Sequence, residues 1–296
     1  MAQSAFVQHG FEACGQVVDP ALCKQLLTEV EATRDFNALF LSEDEFRSGP
    51  KRRGTNPRPG RNLLGKMECD FIFSNEFFGE RMRAVLGPAW RVLDHKFVVG
   101  VPDSWLPDWV QADTYGLGVA NLGSYIRPEY RDMTYFHGID FHQDIIDFKT
   151  RSCDFVTVYL YLDDTSADAS PLHVVPDSHD QGVSMFPHTI ETTGMNATYE
   201  GDTGKRGDYR IELLTGPAGS LYFWHPAILH GTMPHRESTP RISVRILAEK
   251  NDQRVLDCEI DRLNASIDGP LALIETRGDM DDAGRALVRG NTINAL

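Results

Sequence analysis

The run of nine residues from Asp154 to Leu162 constrains the fold of this chain more than any other stretch. It reads Asp-Phe-Val-Thr-Val-Tyr-Leu-Tyr-Leu, so β-branched and aromatic side chains fill it. Such residues suit a pleated sheet, and they predict a strand that is buried on at least one face. The chain is therefore expected to contain a sheet.

The same signal recurs in short segments that are bounded by turn residues. We predict further strands at 90–99, 172–176, 219–224 and 241–247. Two amphipathic helices precede them: one begins at Asp19-Pro20, an N-cap followed by a proline, and one runs from Ser74 or Asn75 to Gly87-Pro88. Many short strands with outer helices predict a mainly β fold with flanking helices, an antiparallel sandwich or a jelly roll.

Three segments lack a clean period. Residues 100–133 and 183–214 are predicted to be irregular excursions, and a polar extension with one short helix near 281–289 is predicted from 257 onward. No internal repeat or low-complexity linker divides the chain. We therefore predict one domain over 1–296, with helical support at 1–89, a core at about 90–248 and an extension at 249–296.

Composition argues against several classes of function. The formal net charge of −14 disfavours nucleic acid as a partner, because phosphate binding requires a basic face. No apolar run approaches the roughly 20 residues of a membrane-spanning helix, and the N-terminus lacks a signal-peptide pattern. We therefore expect a cytoplasmic protein with no membrane partner. The five cysteines are odd in number and far apart, which indicates reduced structural thiols.

The predicted chemistry centres on His142-Gln143-Asp144. In an extended segment, residues two apart point to the same face, so His142 and Asp144 would project together while Gln143 turns away. An imidazole nitrogen beside a carboxylate oxygen grips a divalent metal. A second histidine would complete a 2-His-1-carboxylate triad that leaves positions open for substrate and dioxygen. His230, which follows the predicted strand at 219–224, can supply that ligand.

An arginine lies eleven positions beyond His230, at Arg241. It heads a strand in which Arg241, Ser243 and Arg245 share one face, which places a guanidinium inside the fold. A buried arginine needs an anionic partner, and its planar donor fork fits a carboxylate. The distal carboxylate of 2-oxoglutarate is a suitable partner, and Thr232, in phase with His230, can add a hydroxyl hydrogen bond.

In these motifs the chain resembles the phytanoyl-CoA dioxygenase (PhyH-like) family of iron(II)/2-oxoglutarate oxygenases. The segments His142-Gln143-Asp144, His230-Gly231-Thr232 and Arg241 match its metal and co-substrate motifs in order and in approximate spacing. The similarity extends over about residues 6–248. The chain departs from the family pattern at Ser170 and Asp177, two turn positions where glycine is expected.

The resemblance implies a double-stranded β-helix, the jelly roll of cupin-like proteins. It implies iron(II) held by His142, Asp144 and His230, 2-oxoglutarate bound by Arg241 and Thr232, and dioxygen as a co-substrate. It places Tyr159 near a position that lines the 2-oxoglutarate pocket. The implied activity is oxidation of a C–H bond, with hydroxylation expected first, because Asp144 disfavours the halide-binding variant of such sites.

Other residues compete for these roles. His137 is an alternative ligand, although its in-phase neighbour is Ile139, and His235-Arg236-Glu237 is a second triplet of the same kind in a proline-bounded turn. Arg245 is an alternative to Arg241 as the anion clamp. Four further side chains are predicted to be structural, the two histidines among them also as groups that orient the site: His179, His225, Tyr222 and Trp224.

Two other functions remain open. One is an isomerase-like jelly-roll metalloenzyme that does not use 2-oxoglutarate, which Arg241 argues against. The other is a non-catalytic small-molecule binding protein, which the intact triad argues against. The substrate is expected to be a medium-sized organic molecule, as in secondary metabolism. The basic segment 51–61 is either a solvated loop or a lid that contacts an anionic substrate group, and homo-oligomerisation is left open.

Overall fold

The β-branched and aromatic runs of the sequence form strands in the structure. The structure is a computed structural model, which describes residues 3–49, 57, 61–149, 151–252, 254 and 257–279. The basic residues Arg52, Arg53 and Arg58 and the helix predicted at 281–289 lie outside these ranges. The strands are β1 Phe11–Gln16, β2 Trp90–Gly100, β3 Val119–Asn121, β4 Thr134–His142, β5 Phe155–Tyr161, β6 Leu172–Val175, β7 Thr189–Thr193, β8 Asn196–Glu200, β9 Arg206–Arg210, β10 Glu212–Leu214, β11 Ser220–Trp224, β12 Leu229–Thr232 and β13 Arg241–Lys250.

Ten of these strands join one sheet in the described part of the chain. Its order is β1-β11-β5-β13-β2-β4-β12-β6-β10, and β3 pairs with β4 at the side. The pairing of β2 with β4 is parallel, whereas β13 pairs with both of its neighbours, β2 and β5, in antiparallel fashion. The sheet curls into a nearly closed jelly roll, which confirms the predicted fold class.

Strand β13 shows how an alternating sequence builds the two faces of this sheet. Ile242, Val244 and Ile246 are buried in the main apolar core, which also contains residues of the outer helices. The residues between them face the other way, and Arg241 and Arg245 line a cavity inside the jelly roll. A guanidinium is thus delivered to the interior, as the alternation predicts.

The two helices that the sequence predicts are capped by the residues that it indicates. The helices are α1 Ala5–His9, α2 Pro20–Ala32, α3 Glu43–Ser48, α4 Asp70–Phe73, α5 Glu76–Leu86, α6 Asp108–Thr114 and α7 Glu259–Ser266. Asp19 accepts a hydrogen bond from the backbone N–H of Ala21 at 2.8 Å, and Asn75 accepts one from Phe78 at 3.0 Å. Among the described residues, no helix combines the length and the apolar character that crossing a membrane requires.

Several predictions about the irregular regions are wrong. Residues 183–214 contain a separate antiparallel sheet in the order β7-β8-β9. The alternating positions of this small sheet are occupied largely by threonine and charged residues, and few apolar side chains, such as Ala197 and Tyr199, are buried beneath it.

The segment Phe11–Gln16, predicted within a helical support, is strand β1 because it pairs with the apolar strand β11. Helix α6 lies within 100–133, and α7 lies in the extension. The division of the chain into one domain over residues 1–296 stays a prediction.

Candidate metal centre

Two histidines face each other across neighbouring strands. His142 is the last residue of β4, His230 lies on β12, and the two are paired in the antiparallel register. Their ring centroids are 4.2 Å apart. The Oδ2 atom of Asp144 lies 3.6 Å from Nε2 of His230, and one ligand atom from each of the three residues falls within 4.8 Å of the others. The structure therefore brings together the three side chains that the sequence singles out.

Asp144 reaches this position from a different local structure than the sequence predicts. Strand β4 ends at His142, and Asp144 begins a short 3-10 helix, Asp144–Asp147. Gln143 between them is extended and fully buried, and its side chain points away from the cluster. Its amide donates to the carbonyls of Gly182 and Ala227, at 2.9 and 2.8 Å. These bonds anchor the turn that presents Asp144.

Three donors converge on the carboxylate of Asp144. The hydroxyl of Thr157 and the indole N–H of Trp224 donate to Oδ2, at 2.5 and 2.9 Å. Arg245 donates to Oδ1 at 2.5 Å. Sequence analysis did not assign Thr157, and it placed Trp224 in the core. The alternation of side chains along β5 could have indicated Thr157, because it stands two residues before Tyr159 and shares its face of the strand.

The ionisation of these groups suits metal binding. Burial, reinforced by the neighbouring imidazole of His230, holds the pKa of His142 well below its usual range, and burial also lowers the pKa of His230. Burial alone would raise the pKa of Asp144, but Arg245 and the two histidines outweigh it, so the pKa lies below its usual range. Two neutral imidazoles and an ionised carboxylate are the forms that coordinate a metal.

The imidazole tautomers are fixed by the backbone. The Nδ1 atom of His142 lies 3.0 Å from the carbonyl oxygen of Asp140, and that of His230 lies 3.1 Å from the carbonyl oxygen of Ile228. A carbonyl only accepts hydrogen bonds, so each Nδ1 carries the proton. Both Nε2 lone pairs are then available to a metal ion, as in metal sites whose ligands are oriented by outer hydrogen bonds.

A cavity of about 350 Å³ adjoins the cluster. All six residues that the sequence predicts for the site line it: His142, Asp144, Tyr159, His230, Thr232 and Arg241. Tyr159 also stacks on Trp224, with ring centroids 5.4 Å apart. One cavity therefore joins the three side chains of the cluster to the predicted 2-oxoglutarate residues.

Arg241 carries unused hydrogen-bonding capacity. Its Nε and Nη1 atoms are buried and have no hydrogen-bond partner among the described residues. Gly100 is its register partner on β2 and leaves room for the guanidinium, because a Cβ there would stand 3.3 Å from Nε. Unpaired buried donors are costly, so a bound anion is the expected partner. Arg245 donates to Asp144 instead, which favours Arg241 as the clamp.

The competing histidines have other partners. Nε2 of His137 lies 2.7 Å from Asp103, and Nε2 of His225 lies 2.9 Å from the side-chain oxygen of Asn264. Neither residue lines the cavity, and the same is true of His179 and His235. All five cysteines are free, as predicted, and four of them are buried.

Comparison with known proteins shows which family the chain resembles. A family model described as Phytanoyl-CoA dioxygenase (PhyH) matches residues 6–243. A protein of Stutzerimonas stutzeri described as a probable alpha-ketoglutarate-dependent hypophosphite dioxygenase is 28% identical over 111 residues, which are 35% of this chain and 36% of that protein. The match thus spans about a third of that relative's length.

Two solved structures share the fold. The non-heme monooxygenase ThoJ in its apo form is 16% identical, with 83% of this chain and 76% of that chain covered and a TM-score of 0.50. The non-heme alpha ketoglutarate dependent carbocyclase SnoK from nogalamycin biosynthesis is 12% identical, with 83% and 82% covered and a TM-score of 0.51. The family model covers most of the chain. The chain therefore belongs to the phytanoyl-CoA dioxygenase (PhyH) family.

Proposed function

We propose that this protein hydroxylates a C–H bond of a small organic substrate, with iron(II) bound by His142, Asp144 and His230. The observation that carries the proposal is the cluster of three ligand atoms within 4.8 Å on the wall of this cavity. Two imidazoles and one carboxylate on one side of a metal leave its remaining positions facing the cavity, where co-substrates and substrate bind.

The donor set fits iron(II). Both Nε2 atoms are free to coordinate because each Nδ1 hydrogen is donated to a backbone carbonyl. Thr157, Trp224 and Arg245 hold the carboxylate of Asp144 in place through three hydrogen bonds. These contacts fix the ligands before the metal arrives, which reduces the cost of ordering them on binding.

Arg241 is the proposed anchor for 2-oxoglutarate. Its unpartnered Nε and Nη1 atoms can donate to the distal carboxylate, and Thr232 on β12 lines the same cavity and can add its hydroxyl. Tyr159 lines the same cavity. When bound, iron(II) and 2-oxoglutarate supply the oxidising chemistry with dioxygen, and the chain supplies position.

Part of the cavity wall is apolar. Apolar side chains, among them Val98, Phe136, Ile139 and Leu172, share its wall with the polar residues. Apolar side chains lower the local dielectric constant around the ion pairs that they adjoin. A substrate bound there would lie next to the three side chains proposed to hold the metal.

The test is succinate formation from 2-oxoglutarate by the iron-loaded protein under air, measured without substrate as slow uncoupled turnover. We expect His142→Ala to abolish it and His137→Ala, on the same strand but paired with Asp103, to retain it. Iron content should fall in the first variant alone. Equal turnover in both variants would remove His142 from the ligand set. Tight iron binding without any succinate from the wild type would favour the metalloenzyme that works without 2-oxoglutarate.

A further inference from the structure

Residues 269–279, which we call the C-terminal segment, lie against the turn that presents Asp144. The segment is beyond residues 6–243, the part of the chain that the family model matches. Two of its residues, Arg277 and Asp279, line the cavity that contains the His-Asp-His cluster. Residues from outside the family-matched part of the chain thus reach the candidate metal centre.

One set of contacts joins the C-terminal segment directly to the short 3-10 helix of the metal centre. The hydroxyl of Thr276, a fully buried residue, donates to the backbone carbonyl of Ile146 at 2.6 Å. Carbonyl groups at the end of a helix lack partners within the helix, so a side-chain donor stabilises that end. Nη1 of Arg277 lies 3.5 Å from Oδ1 of Asp147, and Asp279 accepts two hydrogen bonds from the same guanidinium, at 2.9 and 2.7 Å.

A second connection runs through residues 182–186. The side chain of Gln143, which precedes Asp144, accepts a hydrogen bond from the backbone N–H of Ser184 at 3.0 Å and donates to the carbonyl of Gly182. Two backbone hydrogen bonds join the same stretch to the C-terminal segment, from the N–H of Val183 to the carbonyl of Pro270 at 2.7 Å and from the N–H of Phe186 to the carbonyl of Thr276 at 2.9 Å. Residues 182–186 therefore link Gln143 to the C-terminal segment.

Two glycines permit the close approach of these stretches. Gly182 has a left-handed backbone with φ +74°, and a Cβ on it would stand 2.7 Å from Cα of Gly269. A Cβ on Gly269 would stand 2.7 Å from the carbonyl carbon of Gln181. Both distances are too short for a side chain to fit unless the backbone moves. Leu271 of the C-terminal segment also packs against the apolar cluster that contains Ile145.

The turn that carries Asp144 is thus held on both sides. Gln143 before it is bonded to residues 182–186, Ile146 after it is bonded to Thr276, and both connections meet in the C-terminal segment. We propose that Thr276 and the C-terminal segment position the carboxylate of Asp144 for iron(II), an inference that rests on the proposed function. Thr276 is a positioning residue, because it acts through the backbone of the turn and not on the metal.

The experiment compares two matched pairs of variants in the full chain. Thr276→Val removes the hydroxyl and keeps the shape of the side chain, whereas Thr276→Ser keeps the hydroxyl. Gly269→Ala forces the C-terminal segment away from Gln181. Gly278→Ala is its control, because the nearest atom to a Cβ there would lie at an ordinary contact distance of 3.6 Å.

Two properties are measured in each protein. The first is amide hydrogen exchange of residues 143–149 in the metal-free protein, which reports how often the turn opens. The second is the Kd for iron(II), measured anaerobically in competition with a ferrous chelator. Thermal unfolding of the metal-free protein checks that each variant is folded.

We expect exchange of residues 143–149 to be about two- to tenfold faster in Thr276→Val and Gly269→Ala, because an intramolecular hydrogen bond contributes about that factor. The Kd for iron(II) should rise by a similar factor. Thr276→Ser and Gly278→Ala should behave as the wild type does in both measurements. A residue that only stabilised the fold would lower the melting temperature and leave the Kd for iron(II) unchanged.

Three results would overturn the inference. A wild-type Kd for iron(II) in Thr276→Val, or equal losses of affinity in Thr276→Val and Thr276→Ser, would show that the hydroxyl does not position Asp144, and the threonine pair decides this even if Gly269→Ala does not fold. Equal losses in Gly269→Ala and Gly278→Ala would show that the close approach at Gly269 is not the cause. In these cases the proposed function stands. A wild type that binds no iron(II) would overturn the proposed function and the inference together.

Discussion

The hydrogen bond between Thr157 and Asp144 gives a prediction of defined size. The threonine hydroxyl donates to Oδ2 at 2.5 Å from a fully buried position. Thr157→Val keeps the shape of the side chain and deprives a buried carboxylate of one donor. A hydrogen bond to a charged group contributes about 1.5–3 kcal/mol, and each 1.4 kcal/mol is a factor of ten in binding. If the bond holds Asp144 in its coordinating orientation, the Kd for iron(II) should rise about 10- to 100-fold.

The assay is an anaerobic iron(II) titration in competition with a ferrous chelator, with thermal unfolding of the apo protein as a check on folding. The matched control is Thr165→Val, which removes a buried hydroxyl that donates to the backbone carbonyl of Asp163 at 3.3 Å and does not line the cavity. The control should bind iron as the wild type does. An unchanged Kd in Thr157→Val would refute the view that this hydroxyl positions the ligand.

Three further predictions concern the clamp, the core and the thiols. Gly100→Ala should weaken 2-oxoglutarate binding severalfold in a chelate titration, because the new Cβ would lie 3.3 Å from Nε of Arg241; wild-type affinity would contradict this. Phe223→Ala empties a fully buried position of the main core and should lower the free energy of unfolding in urea by about 3–5 kcal/mol, and a loss below about 1 kcal/mol would count against the packing described. Burial raises the pKa of Cys14 to about 12 and that of Cys23 to about 11, so these thiols should react slowly with a disulfide reagent at pH 8, and all five cysteines should react after denaturation. Rapid modification of the native protein would contradict that assignment.

The sequence predicts strands β2, β5, β6, β11 and β13 and helices α2 and α5 because their signals are local. The strand at Phe155–Tyr161 and the caps at Asp19 and Asn75 each depend on residues within a few positions. The inward direction of Arg241 follows from simple alternation along β13. These features need no knowledge of which strands are neighbours.

The parts that sequence analysis missed depend on long-range pairing. Thr157 and Trp224 meet Asp144 only because β11 and β5 are paired in a register that sets these two residues opposite each other. Lys96 becomes the neighbour of Arg245 only through the pairing of β2 with β13. The alternation of residues within one strand does not show which strand will pair with it.

Asp144 lies beside the two histidines, as predicted, but in a different local structure from the predicted one. The prediction placed His142 and Asp144 on one face of an extended strand. In the structure the extended backbone ends at Gln143, and Asp144 begins a 3-10 helix. Its carboxylate still faces the two histidines because Gln143 is bonded to Gly182 and Ala227. Tertiary contacts replace the strand as the cause of the arrangement.

The central claim is that one cavity binds iron(II) through His142, Asp144 and His230 and holds 2-oxoglutarate through Arg241. Its most direct test is an anaerobic titration of the iron-loaded protein with 2-oxoglutarate, followed by the weak visible charge-transfer band of the chelate. We predict a saturable band in the wild type and a Kd about 10- to 100-fold higher in Arg241→Ala, because a charge-assisted carboxylate contact is lost. A wild type that binds iron but develops no band, or an Arg241→Ala variant that titrates as the wild type does, would contradict the claim.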